Sequence, residues 1–167
     1  MIVIVMGVCG CGKTTVGMAL AGALGWPFFD ADHFHPPANV GKMAAGIPLT
    51  DADRSPWLDR LASEMRAIDR AGGNAVLACS ALKQAYRDRL AAAGPVRYVH
   101  LRGDRVTIAA RMANRRDHYM PAALLDSQIE ALEPPADAVE IDVAAPVATQ
   151  VDLIRDRLNL AANPHGQ

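Results

Sequence analysis

Cysteine is scarce in this chain, with three residues in 167, so a disulfide scaffold is not expected. The small, odd cysteine count fits a reducing compartment. Long apolar runs are also missing, because the hydrophobic stretch of residues 1–6 ends at Gly7. Such a stretch is too short for a membrane span or a signal peptide, and no basic residue precedes it. The sequence therefore predicts a cytoplasmic protein.

The chain has no excess charge of either sign, because 17 basic and 18 acidic residues give a formal net charge of -1. The overall charge therefore predicts neither nucleic acid nor a membrane as a partner. Lysine is also rare, since only Lys13, Lys42 and Lys83 accompany the arginines. A compact ammonium differs physically from a planar guanidinium. The three lysines are either chance survivors of a bias toward Arg or candidates for specific functions.

Predicted strands and helices alternate along the chain, which is typical of an α/β domain with a mainly parallel sheet. The apolar run IVIVM (Ile2–Met6) predicts a central strand covered on both faces. A helix is expected over Lys13–Leu24, and another with Ser55 as N-cap and Pro56 as its first residue. The pattern predicts one domain over residues 1–160 and a disordered tail over residues 161–167.

The stretch GVCGCGKTT directly follows the first predicted strand and matches the motif G-x-x-x-x-G-K-[ST] in full. In such a P-loop, backbone N–H groups surround phosphate, Lys13 reaches the β and γ oxygens, and Thr14 holds Mg²⁺. A GTP switch is disfavoured because the chain has no N-K-x-D. The residues predicted to bind the nucleotide are Gly7, Gly10, Cys11, Gly12, Lys13, Thr14 and Thr15.

The same stretch raises an alternative, because Cys9 and Cys11 could instead serve metal or redox chemistry. A zinc or iron-sulfur site needs about four ligands, and no second close cysteine pair completes one. Both cysteines occupy variable positions of the motif, where small side chains suffice. The sequence favours packing roles, and a thiol at a helix N-terminus also leaves oxidation sensitivity as a second hypothesis.

A dense polar cluster follows the second predicted strand, in DADHFHP, NVGKM and TDADRSPW. Loops at the carboxyl ends of strands line the ligand crevice of a doubly wound sheet, so this cluster should face the P-loop. Its many donors and acceptors suit a polyhydroxylated, negatively charged acceptor better than a flat nucleobase. For Asp51 and Asp53, helix capping is the alternative interpretation.

The chain resembles members of the gluconokinase family, a family of small P-loop sugar-acid kinases that are related to shikimate kinase. The matching blocks are GVCGCGKTT, DADHFHPPANVGKMAAGIPLTDADRSPWL, CSALKQAYRDRL, LRGD and RRDHYMP. The resemblance implies a P-loop NTPase-like three-layer α/β fold, similar to nucleoside monophosphate and shikimate kinases, with a five-stranded parallel sheet and a mobile lid at about residues 111–122. It further implies phosphorylation of D-gluconate at its 6-hydroxyl by ATP with Mg²⁺, in a homodimer.

The resemblance also implies roles for individual residues. Asp32 would hold the acceptor hydroxyl and act as the base, while Asp30 would orient the waters of Mg²⁺. The residues expected to surround gluconate are Asp32, His35, Lys42, Arg54, Lys83, Arg87 and His118. The assignment of individual contacts among them stays open.

The predicted lid carries its own charge pattern. Arg111 and Arg115 are four residues apart, on one helix face, where they could neutralise the transferring phosphoryl group. A solvated basic face is the alternative. Asp117 stands where the family usually has glycine, which leaves the lid geometry and the role of His118 open. A kinase for another small acceptor, shikimate-like or a nucleoside monophosphate, and a non-catalytic ATP-binding module are the rival functions.

Overall fold

Five parallel strands form the central sheet of the protein, in a computed structural model that describes residues 1–113 and 122–161. The strand order is β2-β3-β1-β4-β5, so that the first strand is central. Ile4 of β1 lies opposite Leu77 of β3 and Tyr98 of β4. The strands are β1 (Ile2–Met6), β2 (Phe28–Asp30), β3 (Ala75–Ala78), β4 (Val96–Arg102) and β5 (Val139–Asp142).

Helices cover both faces of this sheet, which makes the three-layer arrangement expected from the sequence. The helices are α1 (Lys13–Leu24), α2 (Pro37–Ala44), α3 (Asp51–Arg70), α4 (Gln84–Ala91), α5 (Arg105–Ala113), α6 (Ala122–Ala131) and α7 (Val147–Leu158), and a short 3-10 helix spans Ala31–Phe34. Within these described ranges, no helix is both long enough and apolar enough to span a membrane.

The apolar β1 strand divides the core into two halves. Val3 and Val5 pack on the side of α1 and α7, while Ile4 and Met6 pack on the side of α3 and α4. All five residues of β1 are buried, because successive side chains of a strand point to opposite faces and both faces are covered here. The prediction of a central strand is therefore confirmed.

The start of α3 differs from the sequence prediction. The helix begins at Asp51 and not after Ser55, because the Thr50 side chain accepts a hydrogen bond from the Asp53 N–H while Asp53 accepts one from the Thr50 N–H. This capping box outweighs Pro56, which lies inside the helix and removes one backbone donor there. The cap interpretation of Asp53 is confirmed.

The loops that follow β1, β2 and β3 meet at one edge of the sheet, because the strands are parallel. This edge brings residues 7–12, 31–36 and 79–83 together. Most of the predicted lid, residues 114–121, lies outside the described residues, as do residues 162–167.

Candidate active site

The loop between β1 and α1 is shaped by glycines. Gly12 has φ 102° in the left-handed region, at the N-cap of α1. Gly7 has φ 141°, and a Cβ on it would lie 2.9 Å from the Leu101 carbonyl oxygen. The Lys13 ammonium reaches back over the loop and donates to the Val8 carbonyl at 2.9 Å. Gly10, Gly12 and Lys13 thus line a concave space at the N-terminus of α1, which suits phosphate.

Thr14 and Asp30 meet beside this loop, although they come from different elements. The Thr14 hydroxyl donates to Asp30 Oδ2 at 2.8 Å, and Asp30 Oδ1 accepts from the Asp32 N–H at 3.0 Å. A hydroxyl and one carboxylate, completed by phosphate oxygens and water, form an oxygen set that suits Mg²⁺. The two residues predicted as metal ligands therefore lie together, and their chemistry fits that ion.

A cavity of about 620 Å³ opens over the loop and is called the loop cavity. A second cavity of about 500 Å³, the α7 cavity, shares Gly10 and Gly12 with it and extends toward the start of α7. The loop cavity is lined by Cys9, Gly10, Gly12, Lys13, Thr14, Met18, Phe28, Asp30, Asp32, His33 and Met112. The α7 cavity is lined by Gly10, Cys11, Gly12, Thr15, Val16, Arg111, Ala144, Ala145, Pro146, Val147 and Gln150.

Arg111 lies at the α7 cavity, and its guanidinium donates to the Val143 carbonyl. It shares that cavity with Pro146 and Gln150, whereas Thr14 lines the loop cavity. The predicted role of Arg111 at the transferring phosphoryl group stays a prediction. The predicted partner Arg115, and also His118, fall in the segment that the structure does not describe.

The cysteines of the loop are packing residues. Cys9 and Cys11 are 7% and 1% exposed and belong to the core on the α1 side of the sheet. Burial raises the pKa of the Cys9 thiol, and this effect exceeds the opposing influence of the Lys13 ammonium. Desolvation favours the neutral thiol, which argues against the oxidation-sensitivity hypothesis for Cys9.

A small cavity of about 60 Å³, called the Asp32 cavity, adjoins the loop cavity and shares Lys13 and Asp32 with it. Its wall also holds His35 and Arg54. It is lined by Cys9, Lys13, Asp32, His35, Met43, Pro48, Leu49, Arg54, Ser80, Leu124, Ser127 and Gln128. The Asp32 carboxylate is 67% exposed and lies 4.0 Å from His35 Nε2, so it faces open space at this junction.

His35 is held rigidly in this wall. Its ring stacks on Trp57 with 4.3 Å between centroids and 12° between planes, and Asn39 Nδ2 lies 3.2 Å from its Nδ1. Trp57 is itself fixed, because its Nε1–H donates to the Ala31 carbonyl at 2.8 Å. Burial lowers the pKa of His35, although the Asp32 carboxylate opposes this shift. His35 therefore presents a neutral ring near neutral pH.

A fourth cavity of about 300 Å³, the Lys83 cavity, continues from the Asp32 cavity and shares Arg54 and Gln128 with it. Lys83 donates to both Asp51 oxygens at 2.8 and 2.9 Å, and the Tyr86 hydroxyl also donates to Asp51. These bonds lower the pKa of Asp51, while burial and Asp51 together raise the pKa of Tyr86. Its lining is Leu49, Thr50, Asp51, Arg54, Leu82, Lys83, Tyr86, Ser127, Gln128 and Ala131.

Lys42 and Arg87 are placed differently from the other predicted substrate ligands. The Lys42 ammonium donates to Asp53 at 2.7 Å, and this bond, with those from Thr50, lowers the pKa of Asp53 to about 2. Arg87 is 2% exposed and donates to the Ala81 and Leu82 carbonyls at 2.9 and 3.0 Å. Arg87 thus supports the loop after β3, and its Nε and Nη2 groups also donate to Gln84 Oε1 at 3.3 and 2.8 Å. Its predicted contact with the substrate stays a prediction.

Sequence reasoning missed Gln128 and Asn39. The Gln128 side chain accepts the Cys9 N–H at 2.7 Å, across 119 positions of sequence. Asn39 is 3% exposed and links His35 to the Asp53 carbonyl, to which it donates at 2.8 Å. A polar residue within a helix gives no sign of its partner, so only the packing of α2 and α6 identifies these two.

Comparison with known proteins agrees with this geometry. Residues 2–135 match the family model described as an AAA domain. The gluconokinase of Gluconobacter oxydans (strain 621H) is 50% identical over 135 residues, which is 80% of this chain and 76% of that protein. The thermosensitive gluconokinase of Escherichia coli (strain K12) is 44% identical over 157 residues, 91% of this chain and 84% of that protein.

Solved structures give the same result. The crystal structure of a gluconokinase from Sinorhizobium meliloti 1021 superimposes with a TM-score of 0.84 at 43% identity, over 95% of this chain and 94% of that chain. Identity at this level over nearly the whole fold, together with the intact phosphate loop, fixes the relationship. The chain is a P-loop kinase and belongs to the gluconokinase family.

Proposed function

We propose that this protein transfers the γ-phosphoryl group of ATP to the 6-hydroxyl of D-gluconate, giving 6-phospho-D-gluconate. One observation carries the proposal: Lys13 and Asp32 line both the loop cavity and the Asp32 cavity. A phosphate cradle thereby opens directly onto a polar acceptor pocket. Membership of the gluconokinase family supports gluconate as the molecule in that pocket.

The donor side has room for a whole nucleotide. In the proposed arrangement the phosphates lie in the loop cavity against the N-terminus of α1, and the base lies in the α7 cavity between Arg111 and Pro146. Thr14 and Asp30 would hold Mg²⁺ directly or through water. When bound, Mg²⁺ neutralises charge on the β and γ oxygens during transfer.

The acceptor side predicts the orientation of gluconate. Asp32 lies at the junction with the phosphate cradle, so we expect the reacting hydroxyl there. The Lys83 cavity lies farther out and holds the Arg54 and Lys83 cations beside Tyr86. We therefore expect the gluconate carboxylate at Arg54 and Lys83, where it would compete with Asp51 for the Lys83 ammonium.

The proposed step conserves atoms and protons. The acceptor oxygen forms a bond to the γ-phosphorus, the bond from that phosphorus to the β,γ-bridging oxygen breaks, and the hydroxyl proton passes to Asp32. Lys13 stabilises the charge that develops on the phosphoryl oxygens. Arg115 and His118 of the lid are proposed to complete this neutralisation on closure.

A coupled ADP-release assay tests the proposal against its rivals. The panel contains gluconate, glucose, shikimate, other sugar acids and nucleoside monophosphates, each with ATP and Mg²⁺. The proposal requires gluconate to give the highest kcat/KM and glucose, which lacks the carboxylate, to be much poorer. Preference for shikimate or a nucleotide would identify another small-acceptor kinase, and ATP binding without turnover of any acceptor would indicate a regulatory module.

A further inference from the structure

Gln128 connects the phosphate loop with the acceptor pocket. Its Oε1 accepts the Cys9 N–H at 2.7 Å, and its side chain lines both the Asp32 cavity and the Lys83 cavity. Cys9 lines the loop cavity as well, so Gln128 lies where the donor and acceptor spaces meet. A side chain at this junction can contact both the loop and an acceptor molecule.

Gln128 has a fixed position because its helix is anchored. Leu125 of α6 is 1% exposed and belongs to the core on the α1 side of the sheet. On the same turn, Asp126 accepts from Arg105 of α5 at 2.5 and 3.0 Å. A site residue on such a supported helix is held more precisely than one on a loop.

The hydrogen bond from Cys9 also fixes the chemistry that Gln128 offers. A glutamine amide has one accepting oxygen and two N–H donors. Because the oxygen is occupied by the backbone N–H of Cys9, the amide nitrogen is turned away from the loop. Its two donors match the hydroxyl and carboxylate oxygens of a sugar acid, and they supplement the cations of Arg54 and Lys83 in the same cavities.

We propose that Gln128 is an acceptor-binding residue whose donors are aimed at the sugar acid by its hydrogen bond to the phosphate loop. The choice of gluconate as the probe rests on the proposed function. The assignment adds to the pocket a neutral donor that belongs to neither the phosphate-loop motif nor the polar cluster after β2.

The variant Gln128→Glu tests the donating function of this amide separately from its accepting function. Its carboxylate can still accept the Cys9 N–H, but it has no donor for the acceptor and adds a negative charge beside a negatively charged substrate. We expect KM for gluconate to rise roughly tenfold or more, as for loss of a hydrogen bond to a charged or polar ligand. KM for ATP should rise less than KM for gluconate, and the melting temperature should change little.

Glu130→Gln, at an exposed position of the same helix, is the matched control and should leave both KM values unchanged. Gln128→Ala removes the loop contact as well and should raise the Kd of a fluorescent ADP analogue in addition to KM for gluconate. An unchanged KM for gluconate in Gln128→Glu would overturn the proposal, and so would equal increases in the KM values for ATP and gluconate. Failure of the unaltered protein to phosphorylate gluconate would refute the proposed function instead, and the same variants would then be measured with the acceptor it prefers.

Discussion

The Thr14 hydroxyl donates a 2.8 Å hydrogen bond to the Asp30 carboxylate, joining the first turn of α1 to the end of β2. Two oxygen-bearing side chains thus meet beside the phosphate loop before any ion is bound. The sheet order explains the contact, because β2 and β1 both flank β3 and their carboxyl ends share one edge.

Loss of the Asp30 carboxylate should weaken Mg²⁺ use. For Asp30→Asn we expect the Mg²⁺ concentration for half-maximal rate to increase by roughly 10-fold to 100-fold, because oriented oxygen ligands around a metal tune its affinity by that amount. Thr14→Val should behave similarly, while Thr14→Ser, which keeps the hydroxyl, should not. The measurement is initial rate against Mg²⁺ at fixed ATP. Equal Mg²⁺ dependence in Asp30→Asn and the unaltered protein would contradict the assignment.

Substitutions of Lys13 and of Asp32 should both reduce turnover, by different mechanisms. Lys13→Ala should reduce turnover by at least about a hundredfold, since an ammonium that stabilises the transferring group is lost. Asp32→Asn should reduce kcat by roughly 10²-fold to 10⁴-fold, as expected for loss of a general base, with nucleotide binding largely kept. Stopped-flow turnover and ADP titration measure the two effects. The control is Asp59→Asn, which alters an exposed carboxylate paired with Arg89 and should leave both turnover and ADP binding unchanged. Unchanged kinetics in Asp32→Asn would remove Asp32 from the mechanism.

The buried thiols should resist oxidation in the folded protein. Cys9, Cys11 and Cys79 are all buried, and burial raises the pKa of Cys79 to about 12. Because the thiolate is the reactive form, mild peroxide should leave nucleotide binding unchanged. Thiol titration should find little fast-reacting thiol in the native state and three groups after denaturation. Rapid loss of ADP binding, prevented by Cys9→Ala, would show that the loop is redox-sensitive after all.

Stability should fall as the solution is acidified below neutral pH. Burial lowers the pKa of both His35 and His100, so the unfolded chain binds more protons than the folded one around and below pH 6.5. The stabilisation from the neutral rings is therefore present above the unfolded pKa and is lost as pH decreases. Urea unfolding at pH 7.5, 6.5 and 5.5 should show that the free energy of unfolding decreases with decreasing pH. The variant His35→Gln should reduce this dependence on pH, and the part that remains should come from His100. A slope that His35→Gln leaves unchanged would exclude His35 as a contributor.

The local elements could be predicted from sequence because their signals are local. The apolar run of β1, the glycines of the phosphate loop and the span of α1 follow from residue type and spacing alone. The start of α3 was predicted incorrectly, because Ser55 followed by Pro56 imitates a helix start. The Thr50–Asp53 capping box that actually starts it depends on reciprocal side-chain and backbone bonds.

The features of the site also separate into those with local sequence signals and those that depend on tertiary contacts. The sequence by itself determined the phosphate cradle, its ammonium and the sugar-acid kinase resemblance, because these depend on motifs whose residues are neighbours in the chain. Only the tertiary structure decided that Arg87 supports a loop, that burial keeps the Cys9 thiol protonated, and that Gln128 reaches the phosphate loop. These facts depend on desolvation and on contacts between distant elements, and a one-dimensional pattern carries neither.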